Sequence, residues 1–182
     1  SELKMFLTNM FNDENILAIK NAFIRKMVAS FITNSRLESA WKNYEKIGNH
    51  SPINPLTEQL VNKCNDKIEN YKAYQVMRYT PPFAKEIISQ MKKDGIKEVL
   101  LLPLYPQYST TTTKSSLEDF IKFAKNSFSI SSIETFYKND KFNECIVNEI
   151  LNSVKDETSY NLVFSAHGLP QKIVDAGDPY EK

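Results

Sequence analysis

The sequence has little cysteine, no excess of either charge and no long apolar run, and each shortage excludes a class of protein. Cys64 and Cys145 are too few and too far apart for a metal knuckle or a disulfide framework, which favours a reducing cytoplasm. No apolar run reaches the roughly eighteen residues of a membrane-spanning helix. A formal charge of +1 argues against nucleic-acid binding. The remaining composition, 41% apolar and 25% charged, is typical of a soluble globular protein.

Arginine is also scarce. Among the 23 lysine and arginine residues, only Arg25, Arg36 and Arg78 are arginines. Where lysine dominates, a retained arginine more often uses its planar guanidinium. Because Arg78 also lies at a predicted strand end, we expect it to contact a ligand.

The first 70 residues have the pattern of helices. Apolar residues recur at helical spacing from residue 16 to residue 32, interrupted by Lys20, which predicts a lid helix packed on the core. A second helix is predicted over residues 35–47 and ends at Gly48, a residue type common just after helices. A loop follows over residues 49–52, and helix resumes near Leu56.

From residue 71 onward, predicted strands and helices alternate. The strands are predicted over residues 71–79, 99–102, 133–137 and 160–164. The helices are predicted from Pro81 to Asp94–Gly95, from Ser115 with Glu118 at the capping-box spacing, and over residues 140–154. This alternation predicts an α/β fold, with a parallel sheet, flanking helices and right-handed crossovers.

Three loops follow the ends of predicted strands and carry the residues suited to chemistry. They cover residues 77–81, 103–110 and 165–170, and they hold Arg78, Tyr79, Tyr105, Tyr108, Ser109 and His167. Because the carboxyl ends of parallel strands share one edge of a sheet, we expect the three loops to converge on one cleft. Aromatic rings with a few directed polar groups suit a large, flat, partly apolar ligand that bears carboxylates.

The motifs in these loops resemble those of the ferrochelatase family. They are Arg78-Tyr79, Leu-Tyr-Pro-Gln-Tyr-Ser at 104–109, Thr-Thr-Lys-Ser-Ser ending at Ser116, Ser-Ala-His-Gly-Leu-Pro at 165–170 and Gly-Asp-Pro-Tyr at 177–180. Residues 44–48 with 51–53 are similar to a further segment of that family. The resemblance runs through nearly the whole chain in the family's order, so it is specific.

The resemblance implies a fold of two similar Rossmann-like domains with a porphyrin between them. Residues 1–155 would form the first domain, with its first strand missing and a helical lid near 15–47. Residues 156–182 would form the first strand and active-site turn of the second domain. A length of 182 residues suits one domain and the start of another, and the first residue is Ser1 rather than methionine.

The implied activity is insertion of Fe2+ into protoporphyrin IX to form haem. On this resemblance His167 is the catalytic and metal-binding histidine, and Arg78 and Tyr79 hold the macrocycle and its propionates. Tyr105, Tyr108 and Ser109 would line the porphyrin pocket. Fe2+ would be a substrate, and neither a tightly bound cofactor nor an iron–sulfur cluster is expected. Neutral imidazole suits this role because it accepts a proton at cellular pH and binds Fe2+.

The chain departs from the family pattern at three places. It begins after the family's first strand and Gly-Gly-Pro loop, and it ends before the glutamate that faces the histidine. We therefore expect residues 1–182 alone to have little or no chelatase activity. Asn49 stands where the family usually has a second glycine, although asparagine also tolerates positive φ.

Alternative interpretations remain open at this point. One is a cobalt or nickel chelatase acting on a reduced tetrapyrrole, although only His50 and His167 are available as histidine ligands. Another is a non-catalytic tetrapyrrole-binding half-protein. A secondary interpretation of residues 16–32 is contact with a membrane surface, because Lys20, Arg25 and Lys26 accompany the apolar residues.

Overall fold

A computed structural model describes residues 1–154, 159 and 161–181. Within these residues it has seven α-helices: α1 Glu2–Phe11, α2 Ala22–Glu45, α3 Ile53–Lys67, α4 Ala84–Lys93, α5 Ser115–Ala124, α6 Asp140–Ser153 and α7 Gln171–Asp175. The two strands are β1 Glu98–Leu101 and β2 Ser129–Ser132, and a π-helical turn covers Thr110–Lys114. No helix in the described part of the chain is long and apolar enough to cross a membrane.

The two strands pair in parallel and are connected by α5. The backbone N–H of Ser129 donates to the carbonyl of Lys97 (2.8 Å), and Ile133 donates to Leu101 (2.9 Å), so both strands advance in the same direction. Parallel strands need such a helical crossover because a short hairpin cannot reverse the chain twice. The predicted α/β class and the strand at residues 99–102 are therefore confirmed, in a sheet of two strands among the described residues.

The predicted strand at residues 71–79 is wrong. Only Met77 makes a β-bridge, a single parallel one to Phe83, with its N–H donating to Pro82 (2.8 Å). Earlier in the segment, a side chain bonds to the backbone of Ala73: Asn65 accepts from the N–H of Ala73 (2.6 Å) and donates to its carbonyl (3.2 Å). These side-chain bonds satisfy the backbone in place of a neighbouring strand.

The predicted strand at residues 133–137 is also wrong, because β2 lies four residues earlier. The N–H groups of Phe136 and Tyr137 both donate to the carbonyl of Pro106 (2.9 and 3.1 Å), which bends the chain out of the ladder. The residues that do pair, Ser129–Ser132, are mostly exposed and polar. Backbone pairing therefore prevails over side-chain propensity in this strand.

The last predicted strand, at residues 160–164, is wrong for the residues that can be compared. Tyr160 lies outside the described residues, and residues 161–164 have no strand conformation. Leu162, Val163 and Phe164 are exposed, Val163 by 84%. An apolar run indicates a tendency to be buried, but it forms a strand only where a partner supplies the hydrogen-bond ladder.

The two helices predicted between residues 16 and 47 are a single helix, α2, preceded by a loop. Ser35 does not cap a new helix, because its hydroxyl donates back to the carbonyl of Ile32 (2.9 Å) and leaves the helix unbroken. The predicted lid stripe divides in two. Ile16, Leu17 and Ile32 pack against the core cluster of Leu7, Phe11 and Ala29, as predicted. The aromatic residues of the stripe, Phe23 and Phe31, are instead exposed.

The other helices agree with the sequence in position, with shifted starts. Helix α3 begins at Ile53 and α4 at Ala84, each three residues from its predicted start, and α6 covers nearly all of residues 140–154. Ser115 is not an N-cap, because the π-helical turn precedes it and Ser109 caps the whole helical stretch. The loop after α2 places Asn49 at φ 67°, the left-handed conformation that asparagine tolerates.

The described residues group into two compact units, and each has its own buried residues. The first is Ser1–Glu98 with Glu118–Ser129, and the second is Val99–Leu117 with the described residues of Ile130–Lys182. The first has an apolar core that includes Ile88, Met91 and Phe120. In the second unit the buried side chains include several polar ones: Ser109, Thr113, Ser115 and Asp178. The predicted domain division at residues 155 and 156 stays a prediction.

Asp94, just after α4, gives the first unit a pH-dependent tether. Its carboxylate accepts from Lys72 (2.6 Å), from Tyr74 (2.6 Å) and from Gln90 (2.8 Å). These hydrogen bonds, that of Lys72 foremost, lower the pKa of Asp94 from 3.8 to about 2. Since the folded pKa is depressed, the tether stabilises the fold fully above the ordinary pKa and is lost as pH falls towards about 2.

We expect acidification below about pH 4 to loosen residues 72–74 before the core of the unit responds. Amide exchange of these residues, followed as pH falls, measures the loss. An Asp94→Asn variant should show rapid exchange at neutral pH and little further change in acid. Equal acid sensitivity in the variant and the parent would contradict the assignment to Asp94.

Candidate functional site

In the first unit, Arg78 and Tyr79 are held by a buried carboxylate that the sequence did not single out. Asp13 is only 5% exposed and lies in the loop after α1. Its Oδ2 accepts from Arg78 Nη2 (2.7 Å) and from the Tyr79 hydroxyl (2.9 Å). Its Oδ1 accepts from the N–H of Asn15 (2.8 Å). Asp13 therefore fixes both predicted binding residues at once.

A second carboxylate and an aromatic ring complete the surroundings of Arg78. Nη1 of Arg78 lies 3.4 Å from Asp119 Oδ1 on α5, and the guanidinium carbon is 4.9 Å from the centre of the Tyr79 ring. Burial raises the pKa of Asp119, and the positive charge of Arg78 opposes that rise. The guanidinium is thus shared between two carboxylates and a π face, the kind of site that favours arginine over lysine.

One signal in the sequence could have identified Asp13. It directly follows α1, where the helix dipole places partial negative charge. A carboxylate is unfavourable there unless another group pairs with it. The pairing group, Arg78, is 65 residues away, so the local pattern shows the need for a partner without identifying it.

In the second unit, the loop after β1 carries the predicted pocket residues. Tyr105 is exposed and Tyr108 is half-buried. Ser109 is buried and is the N-cap of the helical stretch that begins at Thr110, since its hydroxyl oxygen accepts from the N–H of Thr111 (3.2 Å). The Ser109 hydroxyl donates to Asp178 (3.0 Å), so it bonds to a residue 69 positions later in the chain, and its place in the porphyrin pocket stays a prediction.

His167 is exposed in a segment without regular secondary structure. Two residues later, the N–H of Leu169 donates to Glu181 (3.0 Å), and Pro170 is the N-cap of α7. In the described part of the chain no group of three or more His, Cys, Asp or Glu side chains is placed to hold a metal ion. His167 is exposed to solvent, and its role as metal ligand and base therefore stays a prediction.

The structure groups the predicted site residues by unit. Arg78 and Tyr79 belong to the first unit, and Tyr105, Tyr108, Ser109 and His167 belong to the second. Of the three loops predicted to follow strands, only the loop at 103–110 follows a strand of the sheet in the described residues. The convergence of all three loops on one cleft stays a prediction, and so do the roles of the six residues.

Comparison with known proteins identifies the family. The family described as Ferrochelatase matches residues 1–182. The chain is 48% identical over 184 residues to a ferrochelatase of Nitratiruptor sp., covering 98% of this chain and 60% of that protein. It is 46% identical to one of Campylobacter jejuni (100% and 60%) and 43% identical to one of Sulfurimonas denitrificans (99% and 59%). The chain belongs to the ferrochelatase family.

The chain spans about 60% of the length of these curated relatives. The α/β fold with its parallel β-α-β unit is the class that the family resemblance implied. The match through all 182 residues includes the segments that hold Arg78, the tyrosine loop and His167.

Proposed function

We propose that the complete gene product is a ferrochelatase, which inserts Fe2+ into protoporphyrin IX to form haem. The observation that carries this proposal is the family match over the whole chain, which includes the segment of the exposed His167. Metal insertion requires two pyrrole N–H protons to leave as Fe2+ enters, so the reaction needs a base beside the macrocycle. A neutral imidazole can accept one of these protons and can also bind Fe2+.

The exposure of Tyr105 and the partial exposure of Tyr108 support the proposed substrate contacts. Tyr105 and Tyr108 offer aromatic surface to a flat macrocycle, and the N-capped helix behind Ser109 keeps their loop in one conformation. Arg78 and Tyr79 would hold the macrocycle and its propionates. The Arg78 side chain is 23% exposed although it pairs with Asp13 and Asp119, which supports contact with a propionate from the solvent side.

An assay that compares metal ions and tetrapyrroles as substrates tests this function. The purified complete gene product should consume Fe2+ and protoporphyrin IX under anaerobic conditions, with loss of porphyrin fluorescence and growth of haem absorbance. Turnover only with Co2+ or Ni2+ and a reduced tetrapyrrole would establish the other chelatase instead. Tight porphyrin binding without any metal insertion would establish a non-catalytic binding protein.

We also propose that the protein works in the cytoplasm without a tightly bound cofactor, with Fe2+ as its substrate metal. The two free thiols, Cys64 and Cys145, support this and suit a reducing compartment. Within residues 1–182 they cannot by themselves supply the four thiolates of an ordinary iron–sulfur cluster. An acid-labile sulfide signal in the purified protein would contradict this part of the proposal.

A peripheral contact between α2 and a membrane surface is the remaining part of the proposal. Phe23, Met27 and Phe31 lie on one side of the helix and are 73%, 60% and 76% exposed. The exposed Lys20 and Lys26 flank them and suit anionic headgroups. Such a surface would let the enzyme take up an insoluble porphyrin from a lipid layer.

We expect the complete gene product to bind vesicles of phosphatidylcholine with phosphatidylserine more tightly than vesicles of phosphatidylcholine alone. Replacing Phe23 and Phe31 together by serine should weaken that binding about tenfold or more, since each phenylalanine would lose burial in the lipid interface. Tyr71→Ser is the matched control, because Tyr71 is equally exposed but lies outside α2. If the Phe23 and Phe31 double variant and Tyr71→Ser lost the same vesicle affinity, α2 would be ruled out as the contact.

A further inference from the structure

Asp178 is a buried carboxylate whose partners all lie in the second unit. It is 3% exposed. Its Oδ2 accepts from the Ser109 hydroxyl (3.0 Å), the Thr110 N–H (2.6 Å) and the Thr110 hydroxyl (2.6 Å). Its Oδ1 accepts from the N–H of Tyr180 (3.0 Å). A buried charge is costly unless it is paired or hydrogen-bonded, and these four bonds compensate it.

The location of Asp178 explains why a carboxylate is stable there. Thr110 begins a helical stretch that continues through α5 to Ala124. The N–H groups of its first turn have no acceptor within the helix and carry partial positive charge. Burial tends to raise the pKa of Asp178, but the hydrogen bonds from Thr110, Tyr180 and Ser109 outweigh it and lower the pKa below the ordinary value. Asp178 is therefore ionised at neutral pH.

The contacts of Asp178 connect two segments that are far apart in the sequence. On one side, Ser109 ends the loop that carries Tyr105 and Tyr108. On the other side, Asp178 ends the segment that runs from His167 through α7 to Gly177, which turns at φ 94°. A second hydrogen bond joins the beginning of this segment to the residues just after it, because Glu181 accepts from the N–H of Leu169 (3.0 Å).

We infer that Asp178 is a positioning residue that holds the tyrosine loop and the His167 segment in a fixed relation to each other. This inference rests on the proposed function. Asp178 touches no reacting atom; it acts through Ser109 and Thr110 on one side and through residues 167–177 on the other. Without Asp178, the loop that carries Tyr105 and Tyr108 and the segment that carries His167 would move independently of each other. Misplacement of a reacting group by about 1 Å can slow a reaction about 10²-fold.

The alternative is that Asp178 serves only as a cap for the helix that begins at Thr110. A cap would protect the first helical turn and nothing else. A positioning residue must also protect the N–H of Leu169, whose acceptor Glu181 lies three residues after Asp178. Hydrogen exchange of the complete gene product separates the two roles without requiring any enzymatic activity.

The test compares Asp178→Ala, Asp178→Asn and the control Asp175→Ala, since Asp175 is exposed and bonds only to Gln171 on its own helix in the described residues. In Asp178→Ala, we expect exchange at least about tenfold faster both in residues 109–112 and at Leu169. Asp178→Asn should be intermediate, because its amide oxygen still accepts a hydrogen bond. Asp175→Ala should match the parent. Faster exchange confined to residues 109–112 would overturn the positioning role.

Ligand binding provides the second measurement. Fluorescence titration with protoporphyrin IX, without metal, should give an affinity about tenfold weaker in Asp178→Ala and partly restored in Asp178→Asn. If Asp178→Ala does not fold, Asp178→Asn alone decides the exchange test, with faster exchange expected both in residues 109–112 and at Leu169. A parent protein that neither binds nor metallates porphyrin would refute the proposed function, whereas the exchange result would still decide whether Asp178 couples the two segments.

Discussion

Replacing Arg78 by alanine is expected to destabilise the first unit by about 3 kcal/mol, in the range for removing one partner of a buried ion pair. The reason is the carboxylate that the change leaves behind. Asp13 is 5% exposed and would lose the positive charge that pairs with it, while the hydrogen bonds from Tyr79 and Asn15 remain. Urea unfolding of the complete gene product, followed by a probe in the first unit, measures the loss.

Arg36→Ala is the matched control for Arg78→Ala. Arg36 is exposed and lies 5.8 Å from the centre of the Phe11 ring, so its removal should cost less than about 1 kcal/mol. The double variant Asp13→Ala with Arg78→Ala should be more stable than Arg78→Ala alone, because the buried Asp13 charge is then removed together with its partner. If Arg78→Ala cost no more than Arg36→Ala, the pair with Asp13 would contribute nothing to stability.

Replacing His167 by alanine is expected to reduce metal insertion by a factor of ~10²–10⁴ or abolish it, the usual consequence of losing a positioned base. Porphyrin binding should change little, because the aromatic and propionate contacts are assigned to other residues. The measurement is the rate of haem formation in the complete gene product, with protoporphyrin affinity determined separately in the absence of iron.

The chain contains its own control for this experiment. His50 is also exposed, and its Nδ1 lies 2.7 Å from the carbonyl of Gly48 in the loop after α2. His50→Ala should therefore retain the rate of the parent. Normal turnover by His167→Ala, or an equal loss in both variants, would remove His167 from the role of base.

Several local elements could be predicted from the sequence because short-range patterns are sufficient to determine them. The apolar run at residues 99–102 predicted β1, and the period of residues 140–154 predicted α6. The family motifs likewise predicted which segments carry the candidate site. Boundaries were predicted less well, since Ser35 could have capped a helix but bonds to Ile32 within α2 instead.

What the sequence by itself determined is therefore the α/β class, the position of most helices and the membership in the ferrochelatase family. Only the tertiary structure decided which carboxylates hold the candidate residues. Asp13 meets Arg78 across 65 residues, and Asp178 meets Ser109 across 69. Local periodicity carries no information about such pairs, because burial makes each of these carboxylates depend on a partner whose position is set by the fold of the whole unit.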